Sequence, residues 1–144
     1  MTKAETAALA TMTPEQLIEG FVRESKLVEI SINGGRGAEA TKHVDAVEAY
    51  GDEIRDRGGL PVLAPLMDGA DPFLAYSAAR RLARLDEFRE RALAVLDHIA
   101  KMNVGTASFR SDTARNVIRY GNPNGDPVEY EKRLAAIRAR ENRA

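Results

Sequence analysis

One two-residue motif recurs along this sequence at the predicted starts of helices: an N-capping residue followed by proline. They are Thr13-Pro14, Asp71-Pro72 and Asp126-Pro127. The Thr or Asp side chain can accept hydrogen bonds from free amides of the first turn, and proline suits the first helical position because its missing N–H is not needed there. Apolar residues follow the first two starts at spacings of three and four, which indicates amphipathic helices. The pattern predicts an all-α fold.

Glycine-rich stops between the apolar stretches divide the predicted single domain, residues 1–144, into segments. Two long amphipathic stretches are joined by Asn-Gly-Gly-Arg-Gly at 33–37, so we expect an antiparallel helical hairpin. The predicted segments are a frayed stretch over 1–12, the hairpin over 13–57, two helix pairs over 60–121 and a charged C-terminal helix over 126–144, whose large aliphatic residues are Val128, Leu134 and Ile137.

The composition supports the prediction of an all-α fold and excludes several classes of function. Aromatic residues make up only 6% of the chain, and Ala, Leu, Arg and Glu, which favour helix, are abundant. Cysteine is absent, which excludes disulfides, thiolate metal sites and a cysteine nucleophile. Residues 1–12 lack the apolar core of a signal peptide, and no apolar run has the length of a membrane span. We therefore expect a cytoplasmic protein with no membrane contact.

Residues 60–121 contain an internal similarity at an offset of about 36 residues, a spacing typical of helical repeats. The match is one of size and polarity more than of identity, and the alternative is two unrelated hairpins that share a helical period by chance. The aligned pairs include Leu60 with Leu96, Leu63 with Ile99, Phe73 with Phe109, Ser77 with Thr113, Ala78 with Ala114 and Leu82 with Ile118. The apolar residues at helical spacing in these segments form one stripe along each predicted helix. We expect the stripes to form a core containing Leu63, Leu66, Leu82, Val95, Ile99 and Val117.

The first of these units resembles a HEAT repeat. Leu-Ala-Pro-Leu-Met-Asp at 63–68 is followed by Asp71-Pro72 and then by Ala-Ala-Arg-Arg-Leu-Ala-Arg-Leu at 78–85. More broadly, residues 17–121 resemble the bacterial family catalogued as domain of unknown function 2019, which opens with the same Leu-Ile-x-x-Phe helix, here 17–21. The resemblance implies HEAT-like paired helices arranged as an α-α superhelix, and it implies no catalytic residues.

Residue types able to perform chemistry are few and lie outside any catalytic motif. Glu39 and His43 are one helical turn apart, but a metal site ordinarily needs at least a third ligand, and none has a suitable spacing. His98, beside Asp97, has no recognisable nucleophile partner in the sequence. We therefore expect no enzymatic activity, no cofactor and no metal.

Arginines on the second helices of the two predicted pairs are the strongest functional signal. In HEAT-like stacks these helices line the concave face, where arginines can bind carboxylates or phosphates through bidentate hydrogen bonds. The alternative is a solvated face whose arginines pair with nearby carboxylates such as Asp86, Glu87 and Asp112. The candidate partner-binding residues are Arg80, Arg81, Arg84, Arg115 and Arg119.

The charge balance favours a protein over nucleic acid as the partner of these arginines. The net charge is −1, whereas a broad nucleic-acid binder usually carries a basic excess. We therefore expect a protein-binding helical-repeat adaptor whose partner has an acidic patch; a specific version is an immunity protein that blocks a bacterial toxin. The alternative is a HEAT-like nucleic-acid binder with an arginine-lined concave face.

Overall fold

The fold is all-α, as predicted. The computed structural model describes residues 1–120, 135–136 and 139–140, and within these it contains helices and no strand. The predicted C-terminal helix falls almost entirely outside the described residues. The elements are α1 (Lys3–Leu9), α2 (Pro14–Asn33), α3 (Gly37–Asp56), a 3₁₀ helix (Leu60–Asp68), α4 (Pro72–Leu82), α5 (Arg89–Lys101) and α6 (Thr106–Tyr120).

Two of the predicted helix starts lie in the described part of the chain, and both are confirmed. At the start of α2, the Thr13 hydroxyl accepts a hydrogen bond from the Gln16 amide at 3.2 Å, and the Gln16 side chain accepts one from the Thr13 amide at 2.9 Å. At the start of α4, Asp71 Oδ1 accepts hydrogen bonds from the amides of Phe73 and Leu74 at 3.0 and 3.2 Å. These side chains satisfy amides that have no partner within the helix.

The stretch 1–12, which the sequence predicts to be frayed, contains a short helix in the structure. Lys3–Leu9 forms α1, and Leu9 is an apolar anchor only 1% exposed. Arg57, just beyond the end of α3, donates hydrogen bonds to the carbonyls of Leu9 and Met12 at 3.0 and 2.8 Å. The Arg57 guanidinium therefore joins the residue after α3 to the end of α1 and the turn that follows it, a contact that sequence spacing does not show.

Helices α2 and α3 pack along each other, and a glycine sets how closely they approach. The Tyr50 ring of α3 lies against Gly20 of α2, where a Cβ atom would be 2.2 Å from the ring. Tyr50 is 5% exposed, and its hydroxyl accepts a hydrogen bond from Arg23 at 3.1 Å. Later in α2, the Glu24 carboxylate is 2.6 Å from Nδ1 of His43. The later residue of α2 contacts the earlier residue of α3, so these contacts run in opposite directions along the two helices.

Helix α4 occupies the centre of the fold. It packs against α2, the 3₁₀ helix, α5 and α6. Ala78, Ala79 and Leu82 are all 0% exposed, and the small alanine side chains allow neighbouring helices to come close. None of the described helices is long and apolar enough to span a membrane.

The core contains part of the predicted stripe and excludes one member of it. Leu63, Leu82 and Ile99 are buried, while Leu66 and Val95 are half-buried. Val117 is 40% exposed, so the prediction that it is largely buried was wrong. Helix α6 turns a different face inward, on which Ala107 and Ser111 are buried, whereas α5 buries Ala92 and Leu96.

Alanine substitution of Leu82 and Val117 separates the observed core from the predicted one. Leu82→Ala should lower the free energy of unfolding by about 2–5 kcal/mol, because it empties a fully packed site. Val117→Ala should change it by no more than about 0.5 kcal/mol, as expected for an exposed position. Urea unfolding followed by circular dichroism measures both, and equal effects of the two substitutions would contradict the orientation of α6.

Gly20→Ala tests the contact between α2 and α3. Alanine normally stabilises a helix relative to glycine by about 1 kcal/mol, but here its methyl group would overlap the Tyr50 ring, so we expect a net loss of about 1–3 kcal/mol. Gly37→Ala, at the first position of α3, is the matched control because a Cβ atom there meets nothing within 4 Å. Thermal unfolding should show Gly20→Ala less stable than wild type and Gly37→Ala at least as stable; two stabilised variants would contradict the close approach.

Candidate functional site

An open groove of about 460 Å³ runs between α4 and α6. One wall comes from α4 and the residues just after it, and the other wall comes from three successive turns of α6. Tyr76, Arg80 and Arg84 line the first wall, and Phe109, Arg110, Thr113, Ala114, Val117 and Ile118 line the second. The groove therefore combines an apolar surface with arginine side chains from both walls.

Phe109 is the most unusual side chain in this groove. It is 75% exposed, although a phenylalanine normally contributes its large apolar surface to a core. Val117, two turns further along α6, is also exposed. Single exposed apolar residues are common on protein surfaces, but a cluster of them in a concave site with polar groups around it is typical of a binding surface.

The predicted internal similarity makes the exposure of Phe109 more informative. Phe73, its counterpart on α4, is 3% exposed, and Ser77 is buried where its counterpart Thr113 is exposed. Leu82 is fully buried, whereas Ile118 is only half-buried. The aligned positions on α4 are thus buried, whereas those on α6 are half-buried or exposed.

Arg81 lies outside the groove and stabilises the contact between α4 and α3. It is 8% exposed, and its guanidinium donates hydrogen bonds to the Glu48 carbonyl at 3.1 Å, the Glu48 carboxylate at 2.9 Å and Asp52 at 3.1 Å. Gly51 of α3 makes room for it, because a Cβ atom there would be 2.2 Å from the Arg81 Cζ atom. This arginine is fully engaged within the protein and joins α4 to α3.

Arg115 also binds carboxylates of this chain, and Arg119 lies outside the groove. Arg115 is half-buried and donates hydrogen bonds to Asp97 of α5 at 2.7 Å and to Asp112. Hydrogen bonds from Lys101 and then Arg115 hold the pKa of the Asp97 carboxyl below its usual value. Arg119 is exposed and does not line the groove. Of the candidate partner-binding arginines, Arg80 and Arg84 therefore line the groove, whereas Arg81, Arg115 and Arg119 do not.

The arginines that do line the groove differ in how far their charge is compensated. Arg80 donates a hydrogen bond to Glu48 at 2.6 Å; burial lowers the pKa of its guanidinium, but Glu48 and Tyr76 offset this and leave the pKa raised. Arg84 is exposed and Arg110 is half-buried. Neither guanidinium makes a hydrogen bond or ion pair with the described residues. Arg84 and Arg110 are thus the groove cations able to bind an external anion.

The candidate metal ligands are not brought together. His43 contacts Glu24 of α2, and Glu39 instead pairs with Arg36 at 3.1 Å. Over residues 1–120 and the short described stretches beyond, no group of three or more His, Asp or Glu side chains is arranged to hold a metal ion. The groove, with its arginines and exposed phenylalanine, is the arrangement best suited to a partner.

No family model, no curated protein and no solved structure matches this chain. The resemblance to the domain of unknown function 2019 family and the α-α superhelix therefore stay predictions.

Substitution of Arg81 and Arg84 distinguishes the structural arginine from the free one. Arg81→Ala should lower the free energy of unfolding by about 1–3 kcal/mol, because it removes the charge-assisted hydrogen bonds of a buried guanidinium to Glu48 and Asp52. Arg84→Ala should change it by no more than about 0.5 kcal/mol. Urea unfolding of the two variants measures the difference, and equal stabilities would contradict the assignment of Arg81 to the scaffold.

Proposed function

We propose that this protein is a non-enzymatic adaptor that binds another protein through the groove between α4 and α6. The observation that carries the proposal is the exposure of Phe109 in a groove shared with Arg84 and Arg110, neither of which is paired within the described chain. An apolar anchor beside arginines suits a partner segment that carries both aliphatic and acidic side chains. Aromatic and arginine residues are enriched among those that dominate protein–protein binding energies.

Phe109 is expected to contribute most of the free energy of partner binding. A phenylalanine can bury about 150–250 Å² at an interface, and at about 25 cal/mol per Å² its burial contributes several kcal/mol before the costs of association. Arg84 and Arg110 add orientation, since their planar guanidinium groups can bind carboxylates through two parallel hydrogen bonds. Affinity thus comes mainly from the apolar contact and selectivity from the charges.

Charge compensation within the fold supports a protein partner over nucleic acid. Of the groove arginines, Arg80 already binds a carboxylate of this chain, and Arg81 and Arg115 outside the groove do the same, so few unpaired cations are available to neutralise phosphates. Nucleic-acid affinity depends on the number of phosphates neutralised, and the net charge of −1 gives no general attraction. A toxin-blocking immunity protein in the cytoplasm is one specific role of this kind, because a small protein with a mixed-charge surface can cover an acidic surface of another protein.

Peptide selection tests the proposal and does not require the natural partner. A yeast-displayed library of random peptides would be sorted with fluorescently labelled full-length protein, and binders would be titrated against Phe109→Ala and against Ile30→Ala. Ile30 is the matched control, since it is 54% exposed on α2 and lies outside the groove. We expect selected peptides to be acidic and apolar, and to lose about tenfold in affinity, or 1.4 kcal/mol, with Phe109→Ala only.

Two results would contradict the proposal. One is a selection whose binders are all insensitive to Phe109→Ala. The other is tight binding of a DNA duplex that weakens steeply with salt and is lost in the Arg84→Glu/Arg110→Glu variant, which would favour the nucleic-acid alternative.

A further inference from the structure

We infer that the segment bound in the groove is an acidic amphipathic α-helix presented by another protein. This inference rests on the proposed function and specifies the conformation and charge of the partner.

The conformation follows from what the groove walls can offer to a bound backbone. Both walls are built mainly from helices, whose amides and carbonyls are already hydrogen-bonded internally. An extended segment pressed into the groove would bury amides and carbonyls with few partners, and each such group costs free energy. A helix satisfies its own backbone and can present apolar side chains to Phe109 and Val117.

The dimensions of the groove agree with a short helix. Along α6 the lining residues lie from Phe109 to Ile118, a rise of about 13 Å at 1.5 Å per residue. Apolar residues at positions i, i+3 or i+4 and i+7 of a partner helix, the usual pattern for a helix bound in a groove, span about 10 Å and fit within this length.

The fold itself covers the matching face of α4 with helices. Phe73 and Ser77, the counterparts of Phe109 and Thr113, lie beside Val28 of α2 and Val47 of α3. Phe73 is 3% exposed as a result. A helix is therefore the element that this chain already uses to cover a face of the same kind.

The charges of the groove favour a helix from a different protein over one from this protein. Arg84 and Arg110 favour carboxylates along the edges of the bound helix. A second copy of this protein in the same groove would bring its own arginines to the site. Residues 126–144 of this chain carry five basic and four acidic side chains, so they offer no acidic excess. An acidic helix of a different protein complements the groove better than either.

The inference is tested with two peptide libraries, both rich in Glu and Leu and about 15 residues long, which is about four helical turns. One library is patterned with apolar residues at helical spacing, and the other has proline at every fourth position, which prevents helix formation. We expect binders that are lost in Phe109→Ala only from the helical library, and a single central proline should weaken each of them at least about tenfold.

A charge exchange tests the acidic character of the same binders. Peptides with Lys in place of Glu should lose at least about tenfold in affinity for wild type and regain it with the Arg84→Glu/Arg110→Glu variant, because the charges are then complementary again. Binding that is unchanged by the exchange would contradict the role of the arginines. Ile30→Glu, an added charge outside the groove, is the control that should leave binding of both peptides unaltered.

The outcomes separate the two proposals. Groove-dependent binders from the proline library, or from both libraries equally, would overturn the helix while the protein-binding function stands. No groove-dependent binder from either library would overturn both. Benzoylphenylalanine at position 109 of the full-length protein provides a further check: photocrosslinks to residues 121–144 of the same molecule would show that the chain covers its own groove, and would overturn the inference of a foreign helix.

Discussion

The ion cluster of Arg81 fixes the central helix on which the rest of the structure depends. A buried guanidinium is costly unless its charge and its hydrogen-bond donors are matched, and here a backbone carbonyl and two carboxylates of α3 do so. The cluster also requires Gly51, since any side chain there would occupy the space of the guanidinium. An apolar contact in place of Arg81 would be less directional, because hydrogen bonds to the fixed positions of Glu48 and Asp52 define where α4 lies along α3.

The functional geometry follows from this placement. With Arg81 directed to α3, the neighbouring Arg80 lies where it can bind Glu48 and also line the groove. Arg84 has no carboxylate of this kind within the described chain and remains exposed. Three arginines within five positions thus have different roles, which depend on the carboxylates of α3 within reach of each.

Local chemistry made the helices predictable, and long-range pairing made the site hard to predict. Thr13 and Asp71 cap their helices through hydrogen bonds to amides two or three residues away, so the sequence alone was sufficient to predict them. Arg81 finds its partners about thirty positions earlier in the chain, a relation that no helical period can show. Phe109 was predicted only as the counterpart of Phe73. The helical spacing of apolar residues placed both phenylalanines on helices. Which of the two helix faces is covered depends on the neighbouring elements, and the spacing of residues along one helix does not show it.

Comparison of these two phenylalanines links stability to function. In a stacked array of helices, each unit covers the apolar face of the next, and a terminal face must be polar, covered or used for binding. The face of α4 that carries Phe73 packs against α2, with Val47 of α3 beside it, and contributes to the core. The corresponding face of α6 keeps its phenylalanine but replaces Ser77 by Thr113 and adds Arg110 beside it. Arg110, which aligns with Leu74 of α4, lowers the cost of exposing this face to water, while the phenylalanine provides the apolar anchor of the proposed binding surface.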